Sequence, residues 1–385
     1  MATSSGHRGG TERAVFLLAA ALNSRGIPSE ILVPSGGDDS TAAATTRDVY
    51  VSQGVGTRVD DRFSRANKGW RNVARLRSLL RRGTGTVNIH YSTATAPSLT
   101  DILAIRGAGR RCVVTIHHPV SLRETSRRKA LAIAAALWLA DEIVVTTQYT
   151  KSLLLGDLPI KPRITVVPLG IPANPVADAA CAARDAQRLA ARKRLGVPAD
   201  AFVVGHLARL VRYKGLFEVI DAMAPLRQGT PTYPAAPAHL LVAGDGPDRD
   251  AMEATARTTL CGNVTFVGDV SSPDDVYAAS DLFVMPSSME GFGLVYVEAA
   301  QFGVPSIASP VGGVPFVIRD GETGLLVARD PVAIAHAIDR LRDNRALLER
   351  LGRQARVESA TRFSDKAMAE AYRDVLFASP RSRYA

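Results

Sequence analysis

Glu290 and Glu298 stand in the segment MEGFGLVYVEAAQFGVP with seven residues between them, and Gly291-Phe292-Gly293 follows the first directly. Glycines at such a turn let the backbone approach a ligand closely. The N-terminus of the helix expected from Leu294 onward offers N–H groups to a phosphate. On that helix Val295, Glu298, Ala299 and Phe302 follow the i, i+3, i+4, i+7 spacing, which turns Glu298 toward an apolar interior. A carboxylate there is costly unless it accepts hydrogen bonds, and ribose hydroxyls would supply them. The plainer alternative is a surface glutamate capping a loop. A second group lies in GHLARLVRYKG, where Arg209 and Lys214 occupy the loop leaving a strand-like run. Two cations beside a strand's carboxyl end suit a diphosphate, each hydrogen bond to it contributing about 1.5–3 kcal/mol. Solvated Arg and Lys loops share that look.

A third turn, AGDGPDRD, places glycines after another strand. Its Asp248-Arg249-Asp250 has the D-x-D form of a metal-binding pair. It also opens a helix, where carboxylates complement the helix dipole, so a structural role is expected. No metal-ligand cluster stands out, and neither a metal nor another cofactor is expected.

Alternating strand and helix patterns must position these groups. The runs EILVP, TVNIHYS, CVVTIHH, DEIVVTT and ITVVPLG recur in the first half, and FVVGHLA, HLLVAGD, NVTFVGD, LFVMPS, PSIAS and GLLV in the second. Each is short and apolar, as for strands covered on both faces by helices. TERAVFLLAAALNSRG reads as a helix that Thr11 caps and Gly26 ends. The pattern weakens between Ile171 and Ala199, and GTPTYPAAPA reads as a surface loop. The expected architecture is α/β: two Rossmann-like domains with parallel sheets facing a central cleft, ligands binding at the strand carboxyl ends. Residues 1–171 form the first domain, 172–199 a linker helix, 200–362 the second domain and 363–385 a tail crossing back to the first.

The 385 residues suffice for two such cores, and 46% hydrophobic with 22% charged residues is ordinary for a globular enzyme. Cys112, Cys181 and Cys261 show neither metal spacing nor a disulfide framework, which fits a reducing compartment. MATSSGHRGG lacks an apolar signal core, and ALAIAAALWLA is too short for a bilayer and reads as a buried helix. A cytoplasmic protein is expected. Residues 1–176 hold 23 Lys and Arg against 12 Asp and Glu, a net +11, whereas the remainder holds 24 against 25, a net −1. Such asymmetry concerns a partner more than the fold. The expected partner is an anionic surface, a membrane carrying a lipid-linked or phosphorylated acceptor, rather than nucleic acid. In RANKGWRNVARLRSLLRR, Trp70, Val73, Leu76 and Leu80 share one helical stripe with Arg71, Arg75, Arg81 and Arg82 beside it. This helix either lies at a headgroup boundary or packs on the sheet with solvated arginines.

Arg209…Lys214-Gly215, Gly244-Asp245-Gly246-Pro247, DLFVMPS from Asp281, Glu290-x7-Glu298, Gly312-Gly313 and DGETGLLV from Asp320 occur in this order. Together they resemble glycosyltransferase family 4, the glycosyl transferases group 1, retaining enzymes of the GT-B fold. The first half resembles that family more loosely, through Gly9-Gly10-Thr11-Glu12, Thr115-Ile116-His117 and Ile164 to Gly170, with Leu169 where Asn is common. The resemblance implies a nucleotide-diphosphate sugar as donor, with the diphosphate on Arg209 and Lys214 and the ribose on Glu298. Glu290 would contact the sugar near its 3- and 4-hydroxyls. Backbone N–H groups of Phe292, Gly293 and Leu294, after Gly291, would assist the phosphate. Gly10 would approach the donor from the facing domain. His117 would line the acceptor side, with His118 and His90 as competitors. Glu290, His117, Arg209 and Lys214 form the implied catalytic set. Family members begin with a strand leading into the glycine loop, whereas MATSSGHR is polar; the expectation is a start lying upstream or an incomplete sheet. A nucleotide-sugar epimerase of similar shape and an inactive sugar-nucleotide-binding protein are the alternatives.

Overall fold

Short β-branched runs bounded by glycine, proline and Asp become the strands of this molecule, and the Ala- and Leu-rich stretches between them become its helices. The computed structural model describes residues 10–34, 56–60, 70–81, 83, 85–123, 125–158, 163–174, 181–227, 237–270 and 272–378. The chain divides into two compact units, Met1–Pro172 with Arg362–Ala385, and Ala173–Thr361.

The first unit runs α1 (Gly10–Asn23), β1 (Glu30–Pro34), β2 (Gly56–Asp60), α2 (Trp70–Arg81), β3 (Val87–Thr93), α3 (Leu99–Gly107), β4 (Cys112–His118), α4 (Arg127–Leu139), β5 (Glu142–Val145), α5 (Gln148–Asp157) and β6 (Ile164–Val166). Its described strands form a parallel pair, β1-β2, and a parallel sheet in the order β3-β4-β5-β6. Ile89, Val114, Ile116 and Ile143 from that sheet join Leu76, Ile102 and Leu137 in one buried core.

The second unit runs α6 (Cys181–Leu195), β7 (Phe202–Leu207), a 3-10 turn (Arg212–Lys214), α7 (Leu216–Met223), β8 (Ala238–Ala243), α8 (Arg249–Leu260), β9 (Val264–Gly268), α9 (Asp274–Ala279), β10 (Leu282–Met285), α10 (Leu294–Gln301), β11 (Ser306–Ala308), α11 (Val314–Val317), β12 (Gly324–Leu326), α12 (Pro331–Asp343) and α13 (Arg345–Thr361). Its six parallel strands lie in the order β12-β11-β10-β7-β8-β9. Strand order reverses between β7 and β10, and ligands of such sheets bind beyond the carboxyl ends at that reversal. The loops after these two strands carry the two motifs singled out above.

Helix α6, within the segment read as a linker, packs in the second unit through a buried cation. Arg192 donates to the carbonyls of Ala199, Ala201 and Ala279 and to Asp281 at 2.7 Å, while Asp281 also accepts from Val203 N–H. Removing one member of such a buried pair typically destabilises by about 3–5 kcal/mol.

The chain then returns to the first unit as α14 (Asp365–Phe377), which packs on α1. Backbone bridges join Ile171 to Ser364, and a β-carbon on Gly170 would run into the Ser364 carbonyl oxygen, so only glycine fits there. Buried Tyr372 reaches Thr115, and Thr86 and Arg111 donate to the carbonyls of Leu376 and Val375.

The two-unit parallel α/β architecture is as expected, with several local corrections. Thr11 lies inside the first turn of α1 rather than capping it, because the helix already begins at Gly10. The run read as a buried helix is α4, which buries Ile133, Ala134, Ala136 and Leu137 but leaves Leu131 60% and Trp138 49% exposed. Its apolar residues surround the whole helix while the sheet covers one side only. On α2, Leu76 and Leu80 are buried in the sheet core and Val73 packs against it, so that stripe is not offered to a lipid surface. The side chains of Trp70, Arg71 and Arg75, together with Arg82, lie outside the described residues. So do the strand sought before Gly9 and most of the GTPTYPAAPA loop. No helix among the described residues is long and apolar enough to cross a membrane.

Candidate functional site

Three loops of the second unit are bonded into one piece. After β7, Leu210 donates to the carbonyl of Asp245 at 2.9 Å and its own carbonyl accepts from Asp248 N–H, which fixes the GDGP turn beneath the Arg209 loop. Asp248 also accepts from the backbone N–H of Arg212 at 2.7 Å. That places one carboxylate of the D-x-D pair in a structural bond. The loop after β10 joins next, with Ser288 N–H donating to the carbonyl of Tyr213 at 2.8 Å.

These bonds bring together residues 76 positions apart: Lys214 Nζ donates to Glu290 Oε2 at 2.6 Å. The side chains are 17% and 8% exposed, so the pair is partly desolvated and its two charges compensate each other. Glu290 Oε1 accepts from Gly291 N–H at 3.1 Å. The glutamate's own carbonyl accepts from Gly313 N–H, and Gly312 (φ +54°) passes so close to it that any β-carbon would clash. The Gly312-Gly313 pair is therefore the support under Glu290. Arg209 projects from the same loop as Lys214 and is exposed.

Gly291-Phe292-Gly293 turns the chain into α10, Gly293 taking a left-handed conformation at its N-cap. The first N–H groups of a helix lack intrahelical acceptors and point outward from this end, at Gly293 and Leu294. Helix α10 is buried nearly all round, not along one stripe, and Val295 is less covered than the residues beside it. Glu298 is nonetheless inward as expected, 5% exposed, and accepts from the hydroxyl of Tyr277 at 2.7 Å.

Two further residues were not singled out by spacing. Tyr277 sits in α9, 21 positions before its partner, and a lone tyrosine in the apolar run DVYAASDLFVMPS was its only signal. His206, in β7, donates from Nδ1 to the carbonyl of Val284 at 2.8 Å. Burial, with Lys214's charge adding, lowers its pKa to about 4 and keeps it neutral.

Of the remaining expected residues, Gly10 opens α1 and is exposed, with open space around its α-carbon. His117 near the end of β4 pairs with His90 of β3, Nε2 to Nδ1 at 3.0 Å with the rings stacked. Burial drives both imidazoles down, His117 to about 3 with the neighbouring His118 contributing, and His90 well below its usual value with His117 contributing. The two histidines that competed for one role thus form one neutral pair, and His118 lies half-buried beside them.

Residues 187–358 match the family described as Glycosyl transferases group 1, and residues 8–174 match Glycosyltransferase Family 4. The lipopolysaccharide core biosynthesis glycosyltransferase LpsD of Rhizobium meliloti (strain 1021) is 38% identical over 187 residues, 48% of this chain and 52% of that protein. A D-inositol 3-phosphate glycosyltransferase of Corynebacterium efficiens is 35% identical over 242 residues, 60% of this chain and 54% of that protein. The chain spans about half the length of the curated relatives it matches. Among solved structures, Anabaena Alr3699/HepE in complex with UDP superposes with a TM-score of 0.81 at 20% identity, covering 98% of this chain and 99% of that one. Sucrose-phosphate synthase from Thermosynechococcus elongatus gives a TM-score of 0.73 at 23% identity with the same coverage of 98% and 99%. These two likenesses concern the fold.

Proposed function

We propose that this chain, which belongs to glycosyltransferase family 4, transfers a sugar from a nucleotide-diphosphate donor to an acceptor hydroxyl with retention at the anomeric carbon. The observation that carries the reading is the joined set of loops holding Arg209, Lys214 and Glu290 beside the N-terminus of α10 at the sheet's reversal point. The donor's diphosphate takes Lys214 from Glu290 and gains Arg209, and the freed carboxylate of Glu290 turns to the 3- and 4-hydroxyls of the sugar. Glu298 takes the ribose. As the bond from the anomeric carbon to the phosphate oxygen breaks, its electron pair leaves with the diphosphate, and the two cations and the N–H groups of α10 stabilise that charge. The acceptor oxygen forms the new bond on the same face, and its proton ends on the released diphosphate or in solvent. These fixed cations and N–H groups neutralise the diphosphate without a divalent metal. His117 is assigned to the acceptor side and Gly10 to the donor.

The UDP and UDP-glucose of the HepE complexes and the inositol phosphate and lipopolysaccharide named for relatives support this class of donor and an anionic or lipid-linked acceptor. We assign the protein to the cytoplasmic face of an anionic membrane. The supporting surface is α4: Arg127, Arg128 and Lys129 are exposed in its first turn, with exposed Leu131 one turn on and exposed Trp138 in its last turn. Cations near such a surface contribute about 1 kcal/mol each. The test of transfer is a panel of UDP-, GDP- and ADP-sugars with phosphorylated and lipid-linked acceptors, read by release of nucleoside diphosphate and by proton NMR of the product. Release that depends on acceptor and an unchanged anomeric configuration are expected. Interconversion of donor sugars without release would favour an epimerase, and an inverted product would end the claim of retention. Sedimentation with vesicles tests the surface: binding should rise with anionic lipid, fall with salt and weaken when Arg127, Arg128 and Lys129 become Glu.

A further inference from the structure

Glu298 is the one site carboxylate that sits on a buried helix rather than on a loop, and its orientation is set from the side by α9. The hydroxyl of Tyr277 donates to its Oε2 at 2.7 Å across 21 residues of chain. Tyr277 is fully buried. Its ring meets Phe283 edge-on at 5.7 Å and Phe302 at 5.9 Å, and Phe283 in turn meets Tyr296 at 6.0 Å. Tyr296 is itself tied down, donating from its hydroxyl to the Met285 carbonyl at 2.8 Å. A fully buried ring packed between two aromatic neighbours, one of them braced in turn by Tyr296, has one position, so its hydroxyl is a fixed point against which the carboxylate is held.

A purely structural residue at this place would be Phe. Burying a phenol in an apolar cluster carries a desolvation penalty unless its O–H finds an acceptor. Here the acceptor is the carboxylate assigned to the ribose. A hydrogen bond from a neutral hydroxyl to a carboxylate is charge-assisted and strongly directional. With Oε2 engaged, rotation of the carboxylate about its terminal bond is restrained, and both oxygens keep a constant direction. A vicinal diol is recognised by two oxygens in a set plane, and recognition weakens when that plane is free to turn.

We propose that Tyr277 is a positioning residue for donor recognition: its hydroxyl orients Glu298 so that the enzyme prefers a ribonucleotide over a donor lacking the ribose hydroxyls. The proposal rests on the reading of Glu298 as the ribose ligand. It adds to that reading a group that touches neither sugar nor phosphate and acts through the carboxylate alone.

The experiment is calorimetry of UDP, GDP and ADP, each against its 2′,3′-dideoxy analogue, with wild type, Glu298→Ala and Tyr277→Phe. Wild type is expected to favour the ribonucleotide by about tenfold or more, the loss from deleting a hydrogen bond to a charged partner. Glu298→Ala should abolish the preference. Tyr277→Phe, which keeps the ring contacts, should reduce it to within about threefold of unity while leaving dideoxy affinity nearly unchanged. A merely structural role would weaken both ligands alike and leave the ratio intact. Each ratio is taken within one sample, so partial loss of folded protein alters stoichiometry and not the ratio. If Glu298→Ala loses the preference and Tyr277→Phe retains it, the positioning role is overturned. If wild type shows no preference, or Glu298→Ala keeps it, the ribose reading falls and the proposal falls with it.

Discussion

In the second unit the polar centre is an ion pair, Lys214 with Glu290, on loops beyond two strand ends. In the first unit it is a pair of imidazoles, His90 and His117, within two adjacent strands and held neutral by burial. Partial exposure and mutual compensation let the first arrangement stand as an ion pair, the one proposed above to open for a phosphate. Complete burial leaves the second with one proton in its central N···N contact. Whichever ring donates, the outer nitrogens, Nε2 of His90 and Nδ1 of His117, end with opposite character, one N–H and one lone pair. The same βα parts thus yield an ion pair where loops reach water and a tautomeric hydrogen-bonding device where strands do not.

The comparison breaks first at Lys214. With the diphosphate proposed to sit on Lys214, Lys214→Ala should lower nucleoside diphosphate affinity by about 30- to 100-fold while nucleoside affinity changes by less than about threefold. Arg209→Ala should show the same selectivity. Equal losses for nucleoside and diphosphate, measured by calorimetry, would remove the second unit's claim to a phosphate site.

Next in size is the seam of the first unit. Gly170→Ala should destabilise by at least about 2 kcal/mol, because a rigid backbone carbonyl stands where the methyl must go. Hydrogen exchange should quicken in α1, β4 and α14 and stay unchanged in β7 and β8. Uniform acceleration in both units would show that their stabilities are not separate.

A smaller effect sharpens the histidine half. A buried imidazole whose folded pKa is depressed leaves the unfolded chain binding more protons. Its stability contribution is complete above about pH 6.5 and lost as pH falls toward the folded value, about 3 for His117. The loss should approach about 1.4 kcal/mol per pH unit for each group in that window. His117→Asn should flatten the fall seen in urea titrations between pH 6 and 4. A steeper fall in the variant would mean that His117 is protonated in the folded protein. The smallest effect expected is from chelation. Transfer should be unchanged by EDTA, and activity lost to chelator and restored by magnesium or manganese would give the diphosphate a different neutralising partner.

Much of the second unit was legible because its chemistry is local in sequence. Arg209 and Lys214 share one loop, and the glycines precede the helix they start. The eleven apolar runs picked out along the chain all contain strands, whereas β2, the polar GTRVD, carried too little apolar signal to be seen. What periodicity missed are contacts made across the fold. The Lys214–Glu290 bond spans 76 positions and the Tyr277–Glu298 bond 21, and neither registers in a window of neighbouring residues. The burial of α4 was overstated for a related reason: an apolar helix reads the same whether one face or all faces are covered, and only the sheet decides.

Helix α14 has a consequence for the order in which the molecule is made. Residues 173–361 form the second unit as one uninterrupted stretch, whereas the first unit is closed by a helix at 365–377 that leaves the ribosome after all of it. At about 5–20 residues per second, the first unit waits on the order of 10–40 s for the segment that brings Tyr372 to Thr115 and seals Gly170 against Ser364. The later half of the chain is therefore free to mature first, and the nascent first half spends that interval with the face of α1 that receives α14 uncovered. A chaperone that shields apolar helix surfaces during translation would be expected to engage the first unit and to let go only when residues 365–377 emerge.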